Sequence, residues 1–142
     1  MIPTSHLHPM FVHFPIALVV FGFLFDFASI LFKKEACLSK CGYYLLLTGT
    51  LSAIAALLTG ALFTSEMSGS AGAVKETHEL FAWITVGVLT VTSIIRITLR
   101  LKQKENTKLK WFVFILYFIA TITVSITGFF GGSLVYNYMI PL

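Results

Sequence analysis

Apolar residues along this chain gather in four long runs, at positions 10–32, 43–63, 80–101 and 111–136, and polar residues gather between them. Each run has about 20 residues or more, the length an α-helix needs to cross a hydrocarbon core of roughly 30 Å. The pattern therefore predicts four transmembrane helices. The connections are too short for a separate soluble domain, so residues 1–142 are expected to form one all-α integral membrane four-helix bundle. Composition agrees, since 57% of residues are hydrophobic and 11% charged, with a mean hydropathy of +0.90. A soluble domain of this size could not hide so much apolar surface.

The first run is distinguished from an export signal by its leader, because residues 1–9 carry no Lys or Arg. It reads as a retained helix. Of the ten basic residues, nine flank two connections: Lys33, Lys34 and Lys40 the first, and Arg96, Arg100, Lys102, Lys104, Lys108 and Lys110 the third. The second connection holds only Lys75, and the termini hold none. The positive-inside rule then places the first and third connections in the cytoplasm and both termini outside. This topology also explains the net charge of +4, so no nucleic-acid partner is needed. Cys37 and Cys41 fall in the first, lysine-rich connection and are expected to be reduced thiols there. A Cys-x-x-Cys-His motif is absent, so any haem would be held without covalent attachment.

Membrane bundles of this size are often built from internal repeats. The first helix opens with His13-Phe14-Pro15-Ile16-Ala17 and reaches Gly22; the third opens with His78-Glu79-Leu80-Phe81-Ala82 and reaches Gly87. Thr59-Gly60 closes the second helix, and Thr127-Gly128 lies near the outer end of the fourth. The halves thus read as two pseudo-repeated helical hairpins about an axis along the membrane normal. In this alignment His13 and His78 are equivalent and lie at one depth.

All four histidines, His6, His8, His13 and His78, fall at the outer end of the expected bundle. A lone interfacial His ordinarily just reaches for headgroups or water, but four at one end invite a chemical role. His8 and His13 are five apart, about 140° around a helix, so one of them is expected to be a ligand and the other to do something different. Two imidazoles from facing helices supply both axial positions of a six-coordinate haem b. The reading makes His13 and His78 the metal ligands, with His8 as a supporting group or alternate ligand. Ala17 and Ala82, one turn farther in, could leave room for a macrocycle, and Gly60, Gly128, Gly131 and Gly132 could let it approach the backbone. Those glycines read equally well as close helix packing of the small-xxx-small kind. Copper is the competing metal, with His6, His8, His13, His78, Met10 and Met67 offering mixed imidazole and thioether ligands.

Asp26 and Arg96 lie inside apolar runs, where an unpaired charge is costly. They share a depth in the expected topology, so an ion pair joining the first and third helices is the first expectation, and proton or quinone handling the second. Glu66, Glu76 and Glu79 sit on the outer side, with Glu79 placed to cap the start of the third helix. Trp83, Trp111, Tyr43, Tyr44, Tyr136 and Tyr138 fall near the interfaces as anchors.

The stretch HPMFVHFPIAL from His8 to Leu18, the acidic Asp26, THELFAW around His78 and the closing TGFFGGSLVY from Thr127 to Tyr136 together resemble a bacterial family. It is catalogued as domain of unknown function 2231 and consists of four-helix membrane proteins. The resemblance covers nearly the whole chain and supports the helix count, the pairing of His8 with His13 and the closing Gly-Gly motif. Some relatives look like modules joined to c-type cytochrome domains, which implies a redox setting.

The expected function is a haem b-binding electron-transfer protein or redox subunit of the respiratory membrane, with a c-type cytochrome or other respiratory subunits as partners. The alternatives are a cofactor-free structural or assembly subunit of a respiratory complex, and a copper-handling membrane protein. An electron carrier or complex subunit fits better than a stand-alone enzyme. No G-x-S-x-G, no HExxH and no clustered carboxylate pair supports a hydrolase.

Overall fold

The computed structural model describes residues 11–64, 67–102 and 107–139. Their backbone is helical because a chain in lipid must satisfy its own amide groups within each segment. The elements are α1 (His13–Leu31), α2 (Ala36–Phe63), α3 (Gly69–Leu101) and α4 (Thr107–Leu134), and α4 ends in a π-helical turn over Val135–Met139. All four helices are long and apolar enough to cross a membrane.

Helix α3 is the longest, at 33 residues, or about 50 Å at 1.5 Å per residue. Its first three turns are polar and extend the helix into what hydropathy alone marks as the second connection. His78 and Glu79 therefore lie well inside α3. Glu79 does not cap it, as expected from sequence, but pairs one turn back with Lys75 at 3.3 Å; Ser68 occupies the cap position. Helix α2 likewise starts seven residues before its apolar run, which puts Cys37 and Cys41 on its first turns rather than in a loop. Their Sγ atoms are 3.8 Å apart, one helical turn on one face, and both are free thiols.

Packing is densest within the hairpins α1–α2 and α3–α4, and α1–α4 and α2–α3 form the second, lighter pair of interfaces. Helices α1 and α3 are thus diagonal. Without a hydrophobic driving force between helices in lipid, association depends on close packing and on polar contacts between helices. Glycines supply the first. A Cβ on Gly49 would lie 3.0 Å from the Val19 side chain, and one on Gly42 only 3.1 Å from the backbone nitrogen of Asp26, so α2 rides directly against α1. The central layer is Val19, Leu46, Ala53, Leu89, Tyr117, Ala120 and Val124. Hydroxyls supply the second. Thr50 and Ser93 bond across α2–α3 at 2.8 Å, and Thr85 and Thr127 meet across α3–α4 at 3.3 Å. Rings fill the α1–α4 seam, where Phe23 packs on Phe114, Tyr117 and Phe118 with centroids 5.3 to 5.8 Å apart.

The two hairpins repeat in burial, but not in the register the small residues suggest. The buried positions Pro15, Val19 and Gly22 of α1 match Thr85, Leu89 and Thr92 of α3, a constant shift of 70 positions (15 to 85), and the same shift pairs Asp26 with Arg96. In the second helices Gly42, Leu46, Gly49 and Ala53 match Val113, Tyr117, Ala120 and Val124 at a shift of 71 (42 to 113). The register expected from sequence, a shift of 65 (13 to 78), sets each buried residue of α1 against an exposed one of α3: Leu80, Ile84, Gly87 or Val91. Five residues are about 140° of helix rotation and 7.5 Å of rise, enough to turn the core face outward. Alanines and glycines matched by spacing alone carry no information about which face is buried.

Candidate functional site

Polar chemistry sits at two levels of the bundle. Toward the lysine-rich end, Asp26 is 5% exposed on α1. Arg96 comes from the diagonal helix and donates from both terminal guanidinium nitrogens to the two Asp26 carboxylate oxygens. A bidentate pair is the geometry that best repays the removal of two charges from water. Room for it comes from Gly42, where a Cβ would stand 2.8 Å from Asp26 Oδ1. Beside the pair lies Tyr117, fully buried in the central layer, and its hydroxyl has no hydrogen-bond partner among the described residues. That hydroxyl occupies the space a side chain on Gly22 would need.

The second level is at the histidine end. The half-buried imidazole of His78 projects from α3 onto α4 and donates from Nδ1 to the backbone carbonyl of Thr127 at 3.0 Å. A carbonyl only accepts, so this bond fixes Nδ1 as the protonated nitrogen and makes Nε2 the basic one. Gly131 lets the ring come this close, since a Cβ there would be 3.1 Å from His78 Cε1 and 3.4 Å from Nδ1. Phe81, one turn on from His78, stacks with Phe130 of α4, their centroids 6.2 Å apart, which braces the same stretch of α3.

The remaining candidates are spread around this end. His13 is exposed at the start of α1, and Ala17, one turn in, is exposed with it. The structure does not set His13 and His78 at matching positions. At the shift of 70, His13 corresponds to Trp83, which is also exposed. Ala82, Gly60 and Gly132 are half-buried, and nothing lies within 4 Å of the place a Cβ on Gly132 would take. Gly128 faces Ile16 of α1, 2.9 Å from its Cδ1, and so serves helix packing. His6, His8, Met10 and Glu66 lie outside the described residues. Among the described residues no group of three or more His, Cys, Asp or Glu is placed to hold a metal ion; Met67 is half-buried before α3.

Sequence reasoning missed two contributors. The Thr127 carbonyl is invisible to side-chain motifs, although the Thr127-Gly128 step marks its place. Tyr117 reads in sequence as one aromatic among many, and only its match to Leu46 in the repeat marks it as core.

The family model described as "Predicted membrane protein (DUF2231)" matches residues 4–141, and the chain belongs to that family. No curated protein sequence and no solved structure matches the chain.

Proposed function

We propose that the protein is a haem b-binding electron-transfer component of the bacterial cytoplasmic membrane, with both termini outside and two imidazoles as axial ligands near the outer face. The observation that carries this reading is the His78–Thr127 bond. A histidine that ligates a metal characteristically donates its other ring N–H to a carbonyl or carboxylate, which holds the tautomer and aims the basic nitrogen. His78 has this bond to the Thr127 carbonyl, on a pair of helices braced by Phe81 and Phe130. Gly131 brings backbone rather than side chain to the ring, which lets Nδ1 reach the Thr127 carbonyl.

In this role His78 and a second imidazole would hold the haem, which would supply one-electron transfer between an outer-side donor such as a c-type cytochrome and an acceptor in the membrane. The chain would contribute the ligating nitrogens and, through the His78–Thr127 bond, the orientation of one of them. The orientation follows from the basic residues that flank the first and third connections.

An absorption spectrum of protein purified in detergent after expression with haem supply tests the reading. A low-spin b-type spectrum that sharpens on reduction is expected, and His78→Ala should abolish it. A colourless protein that co-purifies with respiratory subunits would replace this reading with an assembly subunit. Stoichiometric copper without haem would replace it with a copper-handling one.

A further inference from the structure

The two thiols on the first turns of α2 take no part in the sites above. Cys37 is exposed and Cys41 half-buried, and their Sγ atoms stand 3.8 Å apart on one face of the helix. Two thiolates bound to a tetrahedral zinc ion, each about 2.3 Å from the metal, also stand about 3.8 Å apart. The helix thus already holds two ligands at the spacing of one edge of the tetrahedron. A closed tetrahedral site takes four protein ligands. Among the described residues no third His, Cys, Asp or Glu is grouped with the pair.

The same face of α2 shows where the other two ligands can come from. Tyr44, Thr48, Leu51, Ala55 and Leu58 continue the row of the cysteines at intervals of three and four residues, and all five are exposed. Cys41, Thr48 and Ala55 recur every seventh residue and are small, whereas Tyr44, Leu51 and Leu58 recur every seventh residue and are large. A row of this period, small and large in alternation, accepts the same row of a parallel helix, the large residues of one filling the gaps over the small residues of the other. Copies of one chain inserted with one topology carry α2 in the same direction and at the same depth. A two-fold axis along the membrane normal then brings one cysteine pair to the other.

We infer that Cys37 and Cys41 are half of a tetrahedral zinc site, completed by the same two residues of a second copy packed along α2. Each four-helix bundle stays intact, and only its outward α2 face is covered. On binding, four thiols and one Zn2+ give the zinc tetrathiolate and four protons, which leaves two negative charges on the site. Lys33, Lys34 and Lys40 flank the pair in sequence against the single acidic Glu35, and Arg100 stacks on the Tyr43 ring at 4.4 Å, so this end of the bundle is basic enough to offset them. The site is independent of the haem reading.

The test uses the whole protein, expressed with zinc and purified in detergent without chelators. Metal analysis should find one zinc per two chains, and the mass of the protein in its micelle should be that of a dimer. A strong chelator should halve that mass and leave the helical circular dichroism unchanged. Cys37→Ser and Cys41→Ser should each lose both the zinc and the dimer, and Ala55→Trp, which fills a gap of the row far from the thiols, should weaken the dimer. Cobalt(II) in place of zinc should give the visible spectrum of a tetrahedral tetrathiolate. One zinc per chain in a monomer overturns the shared site, and a dimer that survives chelation overturns the role of the metal. Zinc retained by the protein with both serines, or a Cys37–Cys41 disulfide in protein isolated without reductant, overturns the thiolate site altogether.

Discussion

The two hairpins share one rhythm of buried positions and fill it with different chemistry. In the first, glycine stands at Gly22, Gly42 and Gly49, and backbones meet directly. The matched positions of the second are Thr92, Val113 and Ala120, and there the helices are held by side chains: Thr85 to Thr127, His78 to Thr127 and Phe81 against Phe130. The first hairpin is a tightly zipped support. The second spends its interface on hydrogen bonds that orient a histidine. The difference shows that one rhythm of burial can be filled by close backbone packing in one half and by side-chain hydrogen bonds in the other.

The largest break in that comparison should come from the charge pair, to which each hairpin contributes one partner. Asp26→Ala leaves Arg96 without its counter-charge inside the bundle and should lower stability by about 3–5 kcal/mol. Unfolding in mixed detergent micelles would measure it. Replacing both residues with Leu should recover most of the loss, and a double variant as unstable as the single one would mean that the pair does not set the cost.

A smaller effect is expected where the hairpins differ in kind. Gly22→Ala forces the Tyr117 hydroxyl and the Leu45 Cβ to move and should cost about 1–3 kcal/mol. Adding Tyr117→Phe removes the clashing hydroxyl, which has no partner to lose among the described residues. The double variant should regain part of the stability, a coupling that a double-mutant cycle reads directly; strict additivity would contradict the close approach.

The smallest effect has the opposite sign. Gly87 matches Ala17 in the repeat, and nothing lies within 4 Å of the position its Cβ would take. Gly87→Ala makes the halves more alike and should stabilise by about 0.5–1 kcal/mol through helix propensity alone. A loss of stability on the same unfolding curve would show that this face of α3 is covered by something the chain alone does not contain.

The four spans were legible because lipid demands long apolar runs, and the union of Asp26 with Arg96 was legible because two intramembrane charges at one depth have few other ways to be neutralised. Helix ends were not, since polar residues such as Lys75 and Glu76 extend α3 without any apolar signal. The register of the repeat departs from the sequence expectation for a related reason. Ala17 with Ala82 and Gly22 with Gly87 agree in residue type, yet the members of each pair differ in the face they occupy. Matching type without burial aligned His13 with His78, and only the positions of Pro15, Val19, Gly22 and their mates in α3 reveal the difference of five residues. The hydrogen bond from His78 to Thr127 was beyond sequence altogether, since its acceptor belongs to the main chain.

Asp26 and Arg96 occupy matching places in the two halves, and this has a consequence for assembly. Were the halves identical, a two-fold axis would bring acid to acid or base to base, and two copies of either would repel at the centre. Opposite signs make each half a mate for the other and a poor mate for itself. When many such chains are inserted side by side in a crowded bilayer, that polarity would disfavour a bundle made of two first hairpins, or of two second hairpins, from neighbouring chains.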